Sequence, residues 1–430
     1  MYQRKQYHTL LARMQEKRRF IQVIMDPRQV GKSTLMKQVV NALDIPFVFY
    51  PADAVPATQL SWISDCWNAA RAKMRVEGLK ELILVIDEIQ KITGWSEVVK
   101  KEWDTDTFYD VNLKVILLGS SRVMLDKGLS DSLKGRFERI ILSHWSFAEM
   151  HDAFGFTLDQ FVYYSAYPGA AELIGDEDRW RDYITGSIVD ATINKDILVN
   201  EKIAKPALLR QTFELSAAYS GKELSFTKMI GQLQDAGNTT TIAGYLNLLS
   251  QAGLVCGLNK YAVDLARKKN SVPKHQVYNN ALKNIYCEKS FADAVQDRSL
   301  WGRLYESAIG AHIMSYAYAG DYKVYYWRTD PGTEVDYVLE KKGKVIAIEV
   351  KSNSEPSNKG MEEFKAQYKP YLALVDRLES LLREALAEFP NEWQVQFRLS
   401  VTLQVKSSFI DKSRNAKEES LREAAELLKQ

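Results

Sequence analysis

The chain has 430 residues, room for roughly two to four domains of about 100–200 residues each, and its 46% hydrophobic and 26% charged residues fit a folded, water-soluble protein. A formal net charge of +2 excludes a globally basic surface, so any nucleic-acid contact has to come from local patches. No apolar run approaches the roughly 20 residues of a membrane span, and Cys66, Cys256, Cys287 and the five histidines are too scattered for a zinc cluster.

The polar, basic opening MYQRKQYHTLLARMQEKRRF has no apolar signal core; with the unpaired cysteines it leads to the expectation of a reducing cytoplasm. Five apolar β-like runs follow, at 20–25, 45–50, 81–87, 113–119 and 139–142, alternating with helical stretches. That alternation predicts a parallel sheet with helices on both faces, in which functional groups gather at the C-terminal ends of the strands.

The first run ends in MDPRQVGKST. The usual phosphate-binding loop reads G-x-x-x-x-G-K-[ST], and here Asp26 stands at the first glycine. Backbone N–H groups of Pro27–Thr34, a stretch comprising Pro27, Arg28, Gln29, Val30, Gly31, Lys32, Ser33 and Thr34, would wrap phosphate at a helix N-terminus; proline itself supplies only its carbonyl. Lys32 would reach the β- and γ-phosphates and Ser33 would hold Mg²⁺.

The third run, ELILVIDEIQKI, ends in two acids. Asp87 fits the residue that anchors Mg²⁺, and Glu88 the base that polarises the attacking water. An ordinary strand end entering a solvated loop is the bland alternative. The fourth run, LKVILLGSSRVML, ends at Gly119, Ser120, Ser121 and Arg122; Ser120 is placed to sense the γ-phosphate. Arg136, in LKGRFERI, is a candidate arginine for the nucleotide, in cis or from a neighbouring subunit, with a surface salt bridge as the alternative.

PRQVGKSTL, LILVIDEIQKI, ILLGSSRVML and SLKGRFERI together resemble the prokaryotic AAA-superfamily ATPases that carry a second, nuclease-like domain at the C-terminus. The resemblance covers roughly residues 1 to 370. Those relatives normally have glycine at the position of Asp26. An Asp26 carboxylate about 5–6 Å from the triphosphate would cost on the order of 3 kcal/mol at an effective dielectric of about 20, unless the side chain turns outward. Two readings stay open: an ATPase weakened in binding, and a nucleotide switch or scaffold with a disabled loop.

Residues 155–203 read as helices, and the relatives suggest a lid there. Residues 204–277 show three helices, KPALLRQTFELSAAYSG, SFTKMIGQLQDAG and NTTTIAGYLNLLSQAGLV, then two strand-like stretches, the order of a winged helix. The third helix has no Lys or Arg; the basic residues Lys260, Arg267, Lys268, Lys269 and Lys274 sit in the expected wing. They could touch phosphates or form a solvated loop on a packing module.

In residues 278–370 a second constellation appears. Glu306 lies on the helical stretch WGRLYESAIGAHIMSYAYAG, and TEVDYVLEKKGKVIAIEVKS reads as a hairpin turning at Lys342-Gly343, with Asp336 on one strand and Glu349 and Lys351 on the next. Paired carboxylates are hard oxygen ligands for a divalent metal, and a lysine beside them positions water. The pattern is similar to the D…(D/E)-x-K signature of the restriction-endonuclease-like fold, which implies metal-dependent nuclease chemistry on DNA or RNA from Asp336, Glu349 and Lys351, with Glu306, Asp336 and Glu349 holding the metal. A cross-strand ion pair is the alternative. Residues 371–430 read as a tail of helix, alternating strand from Trp393 to Val405, and helix.

The expectation is therefore an α/β protein: a P-loop core over 1–154, a lid, a winged helix and a restriction-endonuclease-like α/β domain. ATP and Mg²⁺ are its expected cofactors, nucleic acid and a second copy of the chain its open partners, and no membrane is expected. A metal-dependent nuclease with a purely structural ATPase half is the further alternative.

Overall fold

A strand whose every residue is apolar survives only where both faces are covered. Three of the apolar runs meet that condition: Ile21–Met25 (β1), Leu82–Asp87 (β3) and Leu113–Gly119 (β4) are buried at every position. Phe47–Pro51 (β2) and Phe137–Ile141 (β5) are only partly buried. The five form one parallel sheet in the order β2-β3-β4-β1-β5. The computed structural model describes residues 2–25, 27–120, 129, 132–199, 202–233, 237–262, 271–329, 332–350, 359–368, 370 and 372–376. Asp26, Arg122, Arg267, Lys268, Lys269, Lys351 and the tail beyond residue 376 lie outside them.

Helices Lys32–Asn41 (α1), Ser61–Glu77 (α2) and Trp95–Phe108 (α3) provide the crossovers between parallel strands. α2 and α3 are clasped by Arg71, which donates to Glu102 and Asp106 at 2.7 Å each, while Trp67 Nε1 donates to Asp106 Oδ2 at 3.0 Å. Trp67 is fully buried against the sheet, so truncating it to alanine would cost about 3–5 kcal/mol.

The chain divides into two compact units. The first comprises residues 1–144, 167–169 and 190–200; the second holds 145–166, 170–189 and 201–430. The stretch expected as a lid is thus shared between the units.

The second unit contains the expected three helices, Pro206–Ala218, Phe226–Ile230 and Thr239–Gln251, the last two capped by Ser225 and Asn238. The two strands that follow, Val255–Lys260 (β6) and Lys274–Val277 (β7), are antiparallel, as a wing would be. They do not stand apart, however. β6 also pairs with Lys323–Arg328 (β8), so the hairpin extends a six-stranded sheet that runs β11-β10-β9-β8-β6-β7. Its other strands are Glu334–Lys341 (β9), Lys344–Val350 (β10) and Leu372–Asp376 (β11). The β9–β10 hairpin turns where expected, with Lys342 at φ 49° and Gly343 at φ 77°, the paired left-handed angles of a tight hairpin.

One expectation is corrected here. Leu372–Asp376 reads as the start of an amphipathic helix, but it is a strand, paired in parallel with β10 from Ile346↔Leu372 to Val350↔Asp376. A run of four apolar residues fits either period, and pairing at an open sheet edge decides for the strand. The boundary expected at 370/371 therefore falls inside the sheet.

His144 in the first unit is buried and neutral; burial, aided by the positive charge of Arg4, pushes its pKa down to about 3. An unfolded chain would protonate it near pH 6.5, so its contribution to stability is full above that pH and is lost as pH falls from about 6.5 toward 3. Between pH 7.5 and 5.0 the native chain is expected to lose about 2 kcal/mol more unfolding free energy than His144→Gln, measured by urea denaturation at both pH values.

Candidate functional site

The C-terminal ends of β1, β3 and β4 meet at one edge of the parallel sheet, and a cavity of about 370 Å³ opens there. Pro27, Arg28, Gln29, Gly31, Lys32, Ser33, Thr34, Asp53, Asp87, Glu88 and Ser120 line it. The loop after β1 turns through Gln29 at φ 63° and Gly31 at φ 93°, then enters α1 with no side-chain cap on its N-terminus. Uncapped N–H groups at a helix start are ready anion donors. Glu88 also lies in the left-handed region, at φ 53°. Non-glycine residues held there cost on the order of 1–3 kcal/mol each and gather at functional sites.

Lys32 is the centre of the site. Its Nζ lies 2.9 Å from Glu88 Oε1 and 3.7 Å from Asp87 Oδ1. Glu88 Oε2 accepts from Ser120 Oγ at 2.9 Å and from Gln90 Nε2 at 2.6 Å. Burial pushes the Glu88 pKa up, but the Lys32 charge and the donors Lys32, Ser120 and Gln90 more than offset it and leave it below the ordinary value. Asp87 stands above its ordinary value, because burial, with the negative Glu88 beside it, outweighs Lys32. It is the less compensated carboxylate of the two.

Among the lining side chains, Arg28 and Lys32 face Asp53, Asp87 and Glu88, two cations against three carboxylates. Arg28 is further engaged in a two-pronged ion pair with Asp196. Lys91 pairs with Asp53. A cavity one negative charge in excess suits a polyanion that arrives with its own cation. The Ser33 hydroxyl and the Asp87 carboxylate, both on the cavity wall, are oxygen donors of the kind Mg²⁺ takes. The residues therefore fit Mg²⁺.

Two expected residues are not brought to the cavity. Val30 is fully buried and does not line it. Arg136 immediately precedes β5, which runs parallel to β1, so it lies at the N-terminal edge of the sheet, opposite the loop. There its Nε and Nη2 donate to Asp104 at 2.7 and 3.0 Å, and its carbonyl accepts from Ile21 N at 2.9 Å. The cis role is corrected to a salt bridge.

Three participants are new: Asp53, Gln90 and Asp196. Asp53 lies two residues past the end of β2 and Gln90 three past the end of β3, close enough to the strand tips for the reading made of Asp87. Asp196 lies far along the chain, and no sequence signal marks it.

In the second unit Glu306 lies on the helix Arg298–Gly320, which approaches the sheet at Gly310. A Cβ there would stand 2.2 Å from Gln276 Oε1 and Tyr337 Oη. Tyr337 Oη donates to Glu306 O at 3.0 Å and seats that turn of the helix over β9. Asp336 and Glu349 are buried, at 5% and 2% exposure. Lys274, expected in an exposed wing, is also buried, with Nζ 2.7 Å from Glu306 Oε1 and 3.5 Å from Asp336 Oδ1. No group of three or more His, Cys, Asp and Glu is arranged to hold a metal ion among the described residues. Nor is any helix among them long and apolar enough to cross a membrane.

Comparison with known proteins bears on each part. A family model described as an AAA domain matches residues 18–151. Two models described as domains of unknown function match 155–290 (DUF8612) and 301–385 (DUF4143). The uncharacterized protein Rv2008c of Mycobacterium tuberculosis is 25% identical over 338 residues, covering 78% of this chain and 71% of its own. An uncharacterized protein of Haemophilus influenzae is 21% identical over 350 residues, covering 77% and 82%. Among solved structures, the Walker-type ATPase paby2304 of Pyrococcus abyssi aligns with a TM-score of 0.46 at 13% identity, covering 66% of this chain and 95% of that one. The RuvB Holliday junction branch migration motor of Thermotoga maritima aligns with a TM-score of 0.33 at 15% identity, covering 59% and 89%. The AAA-domain match supports an AAA-type ATPase and implies a nucleotide as its ligand.

The two positions separate in a binding experiment. Lys32→Ala is expected to weaken nucleotide binding at least tenfold by isothermal titration. Arg136→Ala is expected to leave affinity within twofold and to shift stability by less than about 1 kcal/mol, as for other exposed ion pairs.

Proposed function

We propose that the first unit binds ATP with Mg²⁺ and hydrolyses it to ADP and phosphate. The observation that carries this reading is the convergence of Lys32, Ser33, Asp87, Glu88 and Ser120 on one cavity at the tips of three parallel strands. The loop N–H groups and Lys32 would take the phosphates, and Ser33 and Asp87 would hold Mg²⁺, which offsets phosphate charge when bound.

The present pairing of Lys32 makes binding and chemistry dependent on each other. Lys32 has to leave Glu88 to reach a phosphate, and a charge-assisted bond of that kind is worth about 1.5–3 kcal/mol. Once it leaves, Glu88 loses its main compensating charge while remaining buried, so its pKa rises toward the working pH. Ser120 and Gln90 still fix the carboxylate. Glu88 then takes a proton from water as the water oxygen bonds to the γ-phosphorus. The bond to the β–γ bridging oxygen breaks, its electron pair leaves with ADP, and the proton passes to phosphate.

Cleavage of nucleic acid by a metal held at Glu306, Asp336 and Glu349 is not part of this proposal, because the ammonium of Lys274 stands between two of those carboxylates.

Phosphate release from Mg-ATP by the full chain tests the reading. The native chain is expected to turn over, and Glu88→Gln to retain nucleotide while losing about 10²–10⁴-fold in rate. Asp26→Gly is expected to tighten binding by up to about a hundredfold. Binding without phosphate release in both native chain and Asp26→Gly would make the protein a non-hydrolysing switch. Release by Asp26→Gly alone would make it a disabled ATPase.

A further inference from the structure

Two of the three expected metal ligands of the second unit, Glu306 and Asp336, already have a cation. Lys274 Nζ donates to Glu306 Oε1 at 2.7 Å and to the Asp336 main-chain oxygen at 3.3 Å, and lies 3.5 Å from Asp336 Oδ1. It also rests 4.8 Å from the centroid of the Tyr337 ring, a favourable position for an ammonium. The other Asp336 oxygen, Oδ2, accepts from Val350 N at 2.7 Å. A divalent ion needs its ligand oxygens within about 2.0–2.6 Å and would have to displace these bonds while sitting beside a positive charge.

The ammonium is fixed in place by the fold. Lys274 begins β7, paired with β6 from Leu258↔Lys274 to Val255↔Val277. The next residue, His275, exchanges main-chain bonds with the turn at Gly221–Lys222 (Gly221 N to His275 O at 2.8 Å, His275 N to Lys222 O at 2.9 Å). Lys274 is 6% exposed, so withdrawing it would leave Glu306 and Asp336 without their counter-charge in a buried setting.

The adjoining cavity, about 370 Å³, is charge-balanced. Lys222, Lys274 and Arg328 line it with Glu223, Glu306 and Glu334. Arg328 is itself 3.0 Å from Glu223 and 3.8 Å from Glu334. Three cations against three carboxylates leave the cavity wall itself with no surplus charge to draw in a phosphate backbone, while Asp336, behind the wall, shares Lys274 with Glu306.

We infer that Lys274 is the resident counter-ion of Glu306 and Asp336, and that this site takes no divalent metal ion. The D…E-x-K pattern then marks an inherited scaffold whose metal place is filled by a side chain from a different strand.

Mn²⁺ titration of the nucleotide-free full chain, by calorimetry and electron paramagnetic resonance, tests this. Any Mn²⁺ bound by the native chain is expected to vanish in Asp87→Asn and to be unchanged in Asp336→Asn. A Mn²⁺ equivalent that survives Asp87→Asn and disappears in Asp336→Asn overturns the inference. Lys274→Met is expected to gain a Mn²⁺ site at least tenfold tighter than any the native second unit shows, removed again by Asp336→Asn. Lys274→Arg is expected to gain none. A Lys274→Met chain with native circular dichroism and no new site would overturn the counter-ion role. If that variant does not fold, the Asp87→Asn and Asp336→Asn arms still decide the metal question.

Discussion

The pairing of Lys32 with Glu88 at the tip of a buried, largely apolar sheet is the constraint on which the first unit depends. β1, β3 and β4 bury every residue they have, so ionised groups are held at the strand ends and only with a partner, as Lys114 is with Glu81 where β4 begins. Asp87 and Glu88 are placed there together, and neither is affordable alone in so buried a position. Lys32 compensates both, at unequal distances, and the inequality divides their roles. The closer carboxylate, Glu88, stays ionised and held; the farther one, Asp87, is left wanting a cation. Under the proposed function, a nucleotide arriving with Mg²⁺ would give Asp87 a metal to ligate and draw Lys32 toward phosphate, which leaves Glu88 uncompensated and more basic.

Much of this was legible in the sequence because parallel α/β architecture writes its chemistry at fixed places. An apolar run followed by Gly-Lys-Ser, and another followed by Asp-Glu, need no partner information to be read, since the fold itself sends both to the same sheet edge. For Arg136 the same logic favours the salt bridge over the nucleotide. Residues that precede a strand sit at the opposite edge from those that follow one, and Arg136 precedes β5. Asp196 was illegible for a different reason. Its bond to Arg28 joins positions with no shared element, and nothing local in the stretch around residue 196 demands a partner in the loop.

The second unit shows where local pattern stops being enough. Glu306, Asp336 and Glu349 carry a pattern that reads as metal ligation, and the hairpin that holds two of them turns where the sequence said it would. What the pattern omits is the neighbour on the far side of the sheet. β6 joins β8, and the hairpin expected to be a free wing becomes part of the sheet. The lysine at the start of β7 is thereby turned from a surface charge into a buried one. Long-range pairing changed the meaning of a residue that composition had assigned to solvent.

Set side by side, the two units use the same ingredients to opposite ends. Each places an ammonium against two carboxylates beside a cavity of about 370 Å³, with both carboxylates on the wall in the first unit and Glu306 alone on it in the second. The difference lies in what competes for the ammonium. Beside Lys32 there is an uncapped helix N-terminus and a loop of backbone donors, so under the proposed function an anion that took the lysine would find further partners there, and the excess carboxylate would find one in the anion's cation. Beside Lys274 the cavity wall is charge-balanced, and Tyr337, the Asp336 carbonyl and a paired strand hold the lysine where it is. An ion pair becomes a switch when an outside ligand can replace both halves of it, and a structural joint when none can.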